Sequence, residues 1–407
     1  MRVIITFCFI LMASRLYAQE KSIGKNFELK FGSALVAGSP DANLIFFHKL
    51  VTGGNINDEE KSDILKGLDH NNRIGAILET QLYGRFFSNS GEHIERKNYT
   101  QFVVKDFYLG ETDFNRNLVD LILNGNKKYE NKSVDLSGVI FKDLRFQTFE
   151  VGRYQRFGKM GIYGGIGLIS GQRFDDVRID KLSIYTAPLG EFIELSMNGN
   201  AHYSKSSINR FFSFAGIGTA FTIATDVDIH PDWNLGLEVN RLGFIQFGKP
   251  TSLATADTTY RFVGAVISNI LDSFVLDFKS PEDIRHDIVH VSDQPGYRMS
   301  LPSGFKVKLG YAPPNRRLSA GASLEWIPST KFRAALQTLV DYRLLPILKL
   351  GLSAGTGGYS VWNAGAGAEL RLLNTLIIRA DLQSGFNLIS AERPASWIAS
   401  ASVKVRL

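Results

Sequence analysis

The sequence predicts an all-β fold: a transmembrane antiparallel outer-membrane β-barrel of about 14 to 16 strands with partly helical extracellular loops. Three observations predict it. In the segment Trp397–Leu407, every second residue from Trp397 is apolar and the polar residues Ser400, Ser402, Lys404 and Arg406 lie between them, which places lipid on one face of a strand and water on the other. The chain begins with a short apolar stretch typical of a secretory signal, and no later run approaches about eighteen apolar residues.

The first element is the predicted signal peptide, residues 1–18. Met1 and Arg2 precede the apolar stretch Val3–Ala13, and cleavage is expected after Ala18. The single cysteine, Cys8, lies inside this segment. The mature chain is therefore expected to lack disulfides, thiolate metal sites and cysteine nucleophiles. Residues 19–407 are predicted to form one barrel domain in the cell outer membrane of a Gram-negative bacterium.

The next elements are strands, read from apolar and polar alternation with a period of two. The less regular ones lie at Phe27–Ala37, Ile74–Phe87, Thr100–Leu109, Phe146–Phe157, Met160–Gly171, Arg178–Thr186, Phe192–Tyr203, Phe212–Thr225 and Trp233–Phe247. Clear two-faced strands follow at Phe305–Tyr311, Arg317–Trp326, Leu348–Gly355, Trp362–Leu372, Leu376–Gln383 and Trp397–Leu407. Connections as short as Leu345-Pro346 and Leu373-Asn374 require antiparallel neighbours.

Large apolar residues near strand ends, among them Trp233, Phe247 and Trp326, predict interfacial girdles or, alternatively, a hydrophobic ligand path.

Three longer excursions interrupt the strands, at residues 38–72, 110–145 and 248–301. Each contains a helix-like piece: Asp58–Leu68, Asn117–Asn124 and Val263–Phe278. If both termini are periplasmic and the strand number is even, all three excursions are extracellular. They are then expected to form a cap over the barrel mouth, and the apolar run Val266–Val275 would pack into that mouth or dock a partner protein.

The polar face of the best-defined strands carries more basic than acidic residues. We expect these side chains to line the lumen, where a positive wall would concentrate anionic solutes; a network of mutually bonded charges in a closed barrel is the alternative. The expected lumen-lining residues are Lys306, Lys308, Arg317, Glu325, Lys349, Glu369, Arg371, Arg379, Asp381, Lys404 and Arg406. The net charge of +6, without long basic runs, indicates no nucleic-acid partner.

Candidate catalytic and metal-binding residues are few. His286 and His290, with Asp287, have a spacing that could share a metal, and Asp226, Asp228 and Asp232 could crowd a calcium ion. The favoured interpretation is two solvated loop histidines and a polar turn between two strands.

A hydrolase of the barrel wall would need a serine and a histidine on adjacent outward faces. The sequence identifies no third residue that would orient His202 and Ser204 for catalysis. We therefore predict no enzyme activity, no catalytic residues, no metal site and no cofactor.

The order of the segments resembles a Bacteroidota outer-membrane barrel family of unknown function, which is similar to FadL-like fatty-acid transport barrels and PorV-like barrels of type IX secretion. The resemblance covers nearly the whole mature chain and depends on Phe27–Gly32, the acidic helix before Leu65, Ile122–Asn126, Phe149–Gly152, Gly161–Gly167 and Gly236–Ile245. It implies about fourteen strands. One departure is that only Gln19–Asn26 precede the first strand, whereas FadL-like transporters carry an N-terminal hatch; closure is expected from the excursions or the lumenal side chains.

Two functions are therefore expected. The first is transport or uptake of small hydrophobic or anionic molecules through the barrel, with a porin-like or FadL-like route. The second is a non-transporting surface scaffold or secretion-system adaptor that binds a partner protein with its cap. A continuous lumenal path would favour transport, and a sealed lumen would favour the scaffold. The other expected partners are outer-membrane lipid and the barrel-assembly machinery.

Overall fold

The computed structural model of the chain describes residues 27–88, 98–204, 214–248, 251–263, 287–313, 317–372, 375–385 and 390–407. Within them, fourteen antiparallel strands close into one ring. Numbered in chain order, the strands of the ring are β1 (Phe27–Asn43), β2 (Asn71–Phe87), β3 (Tyr99–Asn115), β5 (Val139–Phe157), β6 (Met160–Thr186), β8 (Gly216–His230), β9 (Trp233–Phe247), β13 (Gly304–Tyr311), β14 (Leu318–Trp326), β15 (Arg333–Leu345), β16 (Leu348–Gly358), β17 (Ser360–Leu372), β18 (Leu376–Ser384) and β19 (Pro394–Arg406).

Pairing of the first and last strands closes the ring. Leu35 lies opposite Ala399, and backbone hydrogen bonds join Phe27 to Leu407 in both directions. Both ends of the described chain therefore lie at the same end of the barrel, which we call the terminal end. The opposite end is the cap end. The predicted all-β barrel is confirmed, and fourteen lies at the lower limit of the predicted strand number.

Five further strands of the described ranges lie outside the ring: β4 (Lys132–Asp135), β7 (Ile193–Ser204), β10 (Thr251–Phe262), β11 (His290–Gln294) and β12 (Tyr297–Ser300). Along the edge that faces away from β5, the strand β6 has two successive partners. Met160–Gly171 pair with β8 in the wall, and Asp175–Thr186 pair with β7 beyond it. β7 pairs in turn with β10, and β10 with β11.

The prediction that Arg178–Thr186 and Phe192–Tyr203 are wall strands was wrong. The first segment is the outer half of β6 and the second lies in β7, so both belong to a side sheet at the cap end. Their alternation is real, but a period of two does not encode which strand is the partner. A membrane strand needs only about 9–11 residues, so the 27 residues of β6 can serve both sheets.

In the described part of the chain, three helices connect ring strands at the cap end: α1 (Leu44–Thr52), α2 (Asp58–Gly67) and α3 (Arg116–Asn124). The last two correspond to predicted helical pieces, whereas α1 was not predicted. Their apolar sides pack together in a small cluster that includes Ile64, Phe114 and Val119. The predicted helix Val263–Phe278 lies, apart from Val263, outside the described residues. No helix in the described ranges is both long enough and apolar enough to cross a membrane.

The wall strands bury the side chains of one face more than those of the other, as expected for a barrel. Along β5, Glu150 is 5% exposed and its neighbour Val151 is 43% exposed. Exposed apolar residues follow the outward parity on neighbouring strands, with Phe102 opposite Val151 and Ile166 opposite the same residue on the other side. The inward parity carries buried polar and aromatic residues. Such an arrangement suits lipid outside and a polar lumen inside.

Candidate functional site: the barrel lumen

At the terminal end, the inward-facing charges gather around one buried carboxylate, Glu28 of β1. Arg406 of β19 donates from Nε to Glu28 Oε2 at 2.9 Å, and Lys404 Nζ lies 3.8 Å from the same oxygen. Arg85 of β2 approaches Oε1 to 3.5 Å. Tyr83, also on β2, donates to Oε1 over 3.4 Å. Glu28 is thus placed between basic residues of both neighbouring strands.

A second charge cluster lies on strands β15 to β18 around Asp341. Arg379 Nη1 lies 3.1 Å from Asp341 Oδ2, and Lys349 Nζ lies 2.9 Å from the same oxygen. Arg379 also pairs with Asp381 at 2.7 Å. On β17, Arg371 Nε lies 2.7 Å from Glu369. Lys349, Arg371 and Arg379 therefore each have an acidic partner.

On β13, Lys306 Nζ lies 3.1 Å from Glu325 of β14, and Lys308 Nζ lies 2.8 Å from Glu238 of β9. Of the eleven residues expected from the sequence to line the lumen, all but Arg317 lie in ring strands and take part in one of these three groups of ion pairs. Arg317 lies just before β14, and its carbonyl accepts a hydrogen bond from Arg343 N at 2.6 Å. Their role in solute passage stays a prediction.

Three acidic partners were not predicted from the sequence: Glu28, Glu238 and Asp341. Each has the polar parity of its own strand, which could have identified its face. The partner could not be identified, because it depends on the register between strands. For Glu238 that register relates β9 to β13, which are separated by a long connection.

Toward the cap end, an apolar cluster fills the space between the walls. It takes side chains from β2, β3, β5, β6, β8, β9 and β15 and from the connections that follow β14 and β16. Tyr359, between β16 and β17, is 1% exposed, and its ring lies against Gly75 of β2. The Tyr359 ring also packs edge-on against Phe332, with ring centres 5.3 Å apart. Tyr359 Oη donates to Glu111 Oε1 on β3.

Arg241 of β9 joins two distant parts of the wall. Its Nη1 donates to Glu79 Oε2 on β2 at 2.9 Å, and its guanidinium lies 4.6 Å from the centre of the Phe107 ring on β3. Nε donates to the carbonyl of Pro302 at 2.8 Å. The backbone of Arg241 has a φ of 57°, a left-handed conformation that a non-glycine residue adopts at a cost of about 1–3 kcal/mol. Arg241 and Tyr359 therefore bridge the lumen between non-adjacent strands.

A cavity of about 320 Å³ lies beside the Tyr359 contact and is lined by Glu111, Asp113, Lys142 and Lys331 among others. Lys331 N donates to Glu111 Oε1 at 2.7 Å, and Lys331 Nζ lies 2.6 Å from Asp113. Glu111 Oε2 is buried and has no hydrogen-bond partner among the residues that the structure describes. The cavity thus combines two carboxylates and two ammonium groups at the cap end.

The residues considered for metal binding are dispersed. His290 opens β11, and His286 lies outside the described residues. Asp226 and Asp228 lie on β8, where both pair with Arg156; only Asp232 is in the turn before β9. The expectation that all three aspartates form one turn was therefore wrong. No cluster of three or more potential ligands occurs among the described residues.

The residues considered for a wall hydrolase lie on β7, outside the ring. The His202 ring stacks on Tyr297 with centres 4.8 Å apart, and Ser204 Oγ accepts the Phe174 N–H at 3.1 Å. Phe247, expected in an interfacial girdle, is instead fully buried and packs on Phe174 in the lumenal cluster. The end of β9 pairs with β12, which lies outside the ring, so the position of Phe247 at a strand end does not place it in lipid.

The chain is similar to several solved barrels. They include the Pseudomonas putida toluene transporter TodX (8% identity, 93% of this chain and 88% of that chain, TM-score 0.43) and the Ralstonia pickettii toluene transporter TbuX (9%, 95% and 90%, 0.46). A Pseudomonas aeruginosa FadL homologue is similar over 93% of this chain and 90% of its own, at 10% identity and a TM-score of 0.46. No curated protein matches the chain in sequence. The sequence profile of DUF5723, a family of unknown function, matches residues 31–379, and the chain therefore belongs to that family.

Proposed function

We propose that this barrel lies in the outer membrane and admits small hydrophobic molecules, including those that carry an anionic group. The observation that supports the proposal is the apolar cluster inside the lumen, around Phe107, Phe146 and Tyr359. A water-filled pore presents polar residues to its interior. An apolar lumen at the cap end would instead favour a hydrophobic solute.

The charges at the terminal end fit the anionic part of the proposal. Lys404 and Arg406 share Glu28 with Arg85, so basic groups outnumber the carboxylate there. A surplus of positive charge in a narrow cleft concentrates anions, including the carboxylate of a fatty acid. A solute would thus meet apolar side chains first and basic ones later, if the cap end faces the cell exterior as we propose.

Passage requires side chains to move, because Tyr359 and Arg241 cross the described part of the lumen. We propose that these two residues hold the closed state. The Tyr359 ring contacts Gly75, and Arg241 contacts Glu79 four residues along the same strand. Both bridges therefore end on β2, and motion of either would widen the path.

The test is flux through purified protein in liposomes and planar bilayers. We expect the double variant Tyr359→Ala, Phe332→Ala to raise both ionic conductance and uptake of a small apolar fluorophore above wild type. Tyr342→Ala is the matched control, because Tyr342 is exposed on the outward parity of β15. Equal flux through wild type, the double variant and the control, in barrels shown to be folded, would contradict the transport proposal.

The scaffold remains the second candidate because Tyr359 and Arg241 both cross the described lumen, and a closed lumen favours a non-transporting protein. Its proposed binding surface is the cap, where Leu50, Ile122 and Leu189 are 64%, 73% and 93% exposed. Exposed apolar residues on a soluble face mark interaction sites when they form a contiguous patch. Absence of flux in every variant, together with a partner whose binding is lost in Leu50→Ser, Ile122→Ser, would favour this function. Neither proposal involves catalysis.

A further inference from the structure

A large depression lies on the outside of the barrel wall. It has a volume of about 700 Å³ and is lined almost entirely by apolar surface of outward-facing residues, including Val151, Ile166, Phe221 and Ile223. It spans strands β3 to β9. Because it opens on the lipid-facing side, it is separate from the lumen and from the proposed transport path.

Gly164 of β6 creates the depression. In register it lies opposite Arg153 of β5 on one side and Ile223 of β8 on the other. A Cβ added to Gly164 would meet no atom within 4 Å, so the wall is recessed where its neighbours carry side chains. From this recess the groove continues toward the middle of the barrel. It passes Val151 and Ile166, the next pair of outward-facing residues on β5 and β6.

Arg153 lies at one end of the groove. Its side chain is exposed, and Nη1 donates to Thr100 Oγ1 of β3 at 3.0 Å. No carboxylate of the described chain lies within ion-pair distance of Arg153. Thr100 is the second residue of β3, and Arg153 lies four residues before the last residue of β5, so both are near the terminal end.

An outward arginine has a cost unless it reaches an anion. On the lipid face of a barrel the cost is about 2–4 kcal/mol at the midplane and falls to about 0–1 kcal/mol near the interfaces. Near the interface the available anion is a lipid phosphate, which the planar guanidinium binds through paired hydrogen bonds. The apolar groove runs from this point toward the middle of the bilayer, as an acyl chain does.

We propose that this groove binds one phospholipid of the leaflet at the terminal end, with its phosphate on Arg153 and an acyl chain in the recess above Gly164. The proposal is independent of whether the lumen conducts solutes. A headgroup with net negative charge is expected to bind best, because the cationic group of a zwitterionic headgroup competes for the same phosphate.

Native mass spectrometry of the folded barrel, titrated with phosphatidylglycerol or phosphatidylcholine, tests the proposal. Gly164→Phe has room for its Cβ and is expected to fill the groove, and Arg153→Gln is expected to remove the phosphate contact. Loss of a hydrogen bond to a charged group corresponds to about tenfold weaker binding or more. We expect that loss of phosphatidylglycerol affinity in each variant, and weaker binding of phosphatidylcholine to wild type.

The matched control is Val340→Phe, which adds the same ring at another exposed, outward position, on β15. It should bind phosphatidylglycerol as wild type does. Affinity within about twofold of wild type in either Gly164→Phe or Arg153→Gln would overturn the proposal. An equal loss of phosphatidylglycerol affinity in Val340→Phe would also overturn it, since that would indicate a general effect of a larger side chain on the wall and not the loss of a specific lipid site. Heat-dependent mobility on gels verifies that each variant is folded.

Discussion

Gly75 is the residue on which the lumenal Tyr359 contact depends. A Cβ there would lie 2.1 Å from the Tyr359 ring, and no real side chain tolerates such a distance. We expect Gly75→Ala to lower the free energy of unfolding by about 1–3 kcal/mol, the usual cost of overpacking. Denaturant unfolding in micelles, followed by tryptophan fluorescence, measures it. Adding Tyr359→Ala should remove most of the clash, so the double variant should lose less unfolding free energy than the two single variants lose in total. A loss larger than that total would contradict this contact.

Arg241 carries the other bridge across the lumen. Arg241→Ala removes its hydrogen bonds to Glu79 and Pro302, and hydrogen bonds to charged groups contribute about 1.5–3 kcal/mol. We expect a loss in that range from the same unfolding measurement. Glu79→Gln keeps an acceptor for Nη1 and should cost clearly less. Alanine at this position has the same left-handed backbone cost as arginine, so equal stability of Arg241→Ala and wild type would contradict a stabilising role for the bridge.

At the same scale, the sequence could predict the face of a residue but not its partner. Parity placed Lys306, Lys349 and Arg379 on the polar face, and the structure brings each beside a carboxylate. Arg241 and Tyr359 could not be predicted as bridges. Arg241 lies at a backbone irregularity, Tyr359 lies in a turn, and each meets a strand far away along the ring. Contacts across a lumen depend on closure of the whole barrel, which no local pattern contains.

At the level of single elements, α2 shows a strong local signal. Asn57 Oδ1 accepts the Glu60 N–H at 2.8 Å, and the Asn57 N–H donates to Glu60 Oε2 at 3.0 Å, which is a complete capping box. The acidic first turn made this helix predictable. We expect Asn57→Ala to cost about 1 kcal/mol of local helix stability. Hydrogen exchange of the α2 amides measures it, with the α3 amides as an internal control.

The same box gives α2 a pH dependence. The Asn57 N–H, and after it Lys49, lower the pKa of Glu60, so the folded helix favours the charged carboxylate. The stabilisation is complete above the ordinary glutamate pKa of about 4.3 and is lost as pH falls through the lowered pKa. We expect α2 protection, relative to Glu60→Gln at each pH, to decrease below about pH 4.3. A constant ratio across that range would contradict the role of the charge.

The strand β6 shows the limit of prediction at this scale. Its register with β5 shifts between Arg145 and Phe146, and beyond this point its second neighbour changes from β8 to β7. Both halves alternate between apolar and polar residues, so no local pattern indicates the branch. The extra strands that were expected in the wall form the side sheet for this reason.

At the scale of the whole molecule, barrel class and strand direction could be predicted because alternation and short connections are local. The three predicted excursions do leave the same end of the ring, opposite the terminal end. The closing pair of strands could be expected only from the requirement that a membrane sheet has no free edge. Its register was not predictable, since β1 and β19 lie at opposite ends of the chain.

A disulfide across this seam tests the closed ring directly. Ala34 of β1 lies opposite Ser400 of β19, and directly paired residues have Cβ atoms about 4.5–5.5 Å apart, near the distance that a disulfide needs. With Cys8 replaced by serine, Ala34→Cys, Ser400→Cys should oxidise within one chain.

The cross-link should keep the compact mobility of the folded barrel on gels under denaturing conditions that unfold the reduced form, because it joins the first strand to the last. Ala34→Cys, Ser402→Cys is the control. Ser402 lies opposite Gly32, so this pair is diagonal, about 7–8 Å apart, and beyond easy reach of a disulfide. Equal oxidation of both pairs would mean that the seam slips in register. Cross-links only between chains would mean that β1 and β19 are free edges, and that the ring does not close within one molecule.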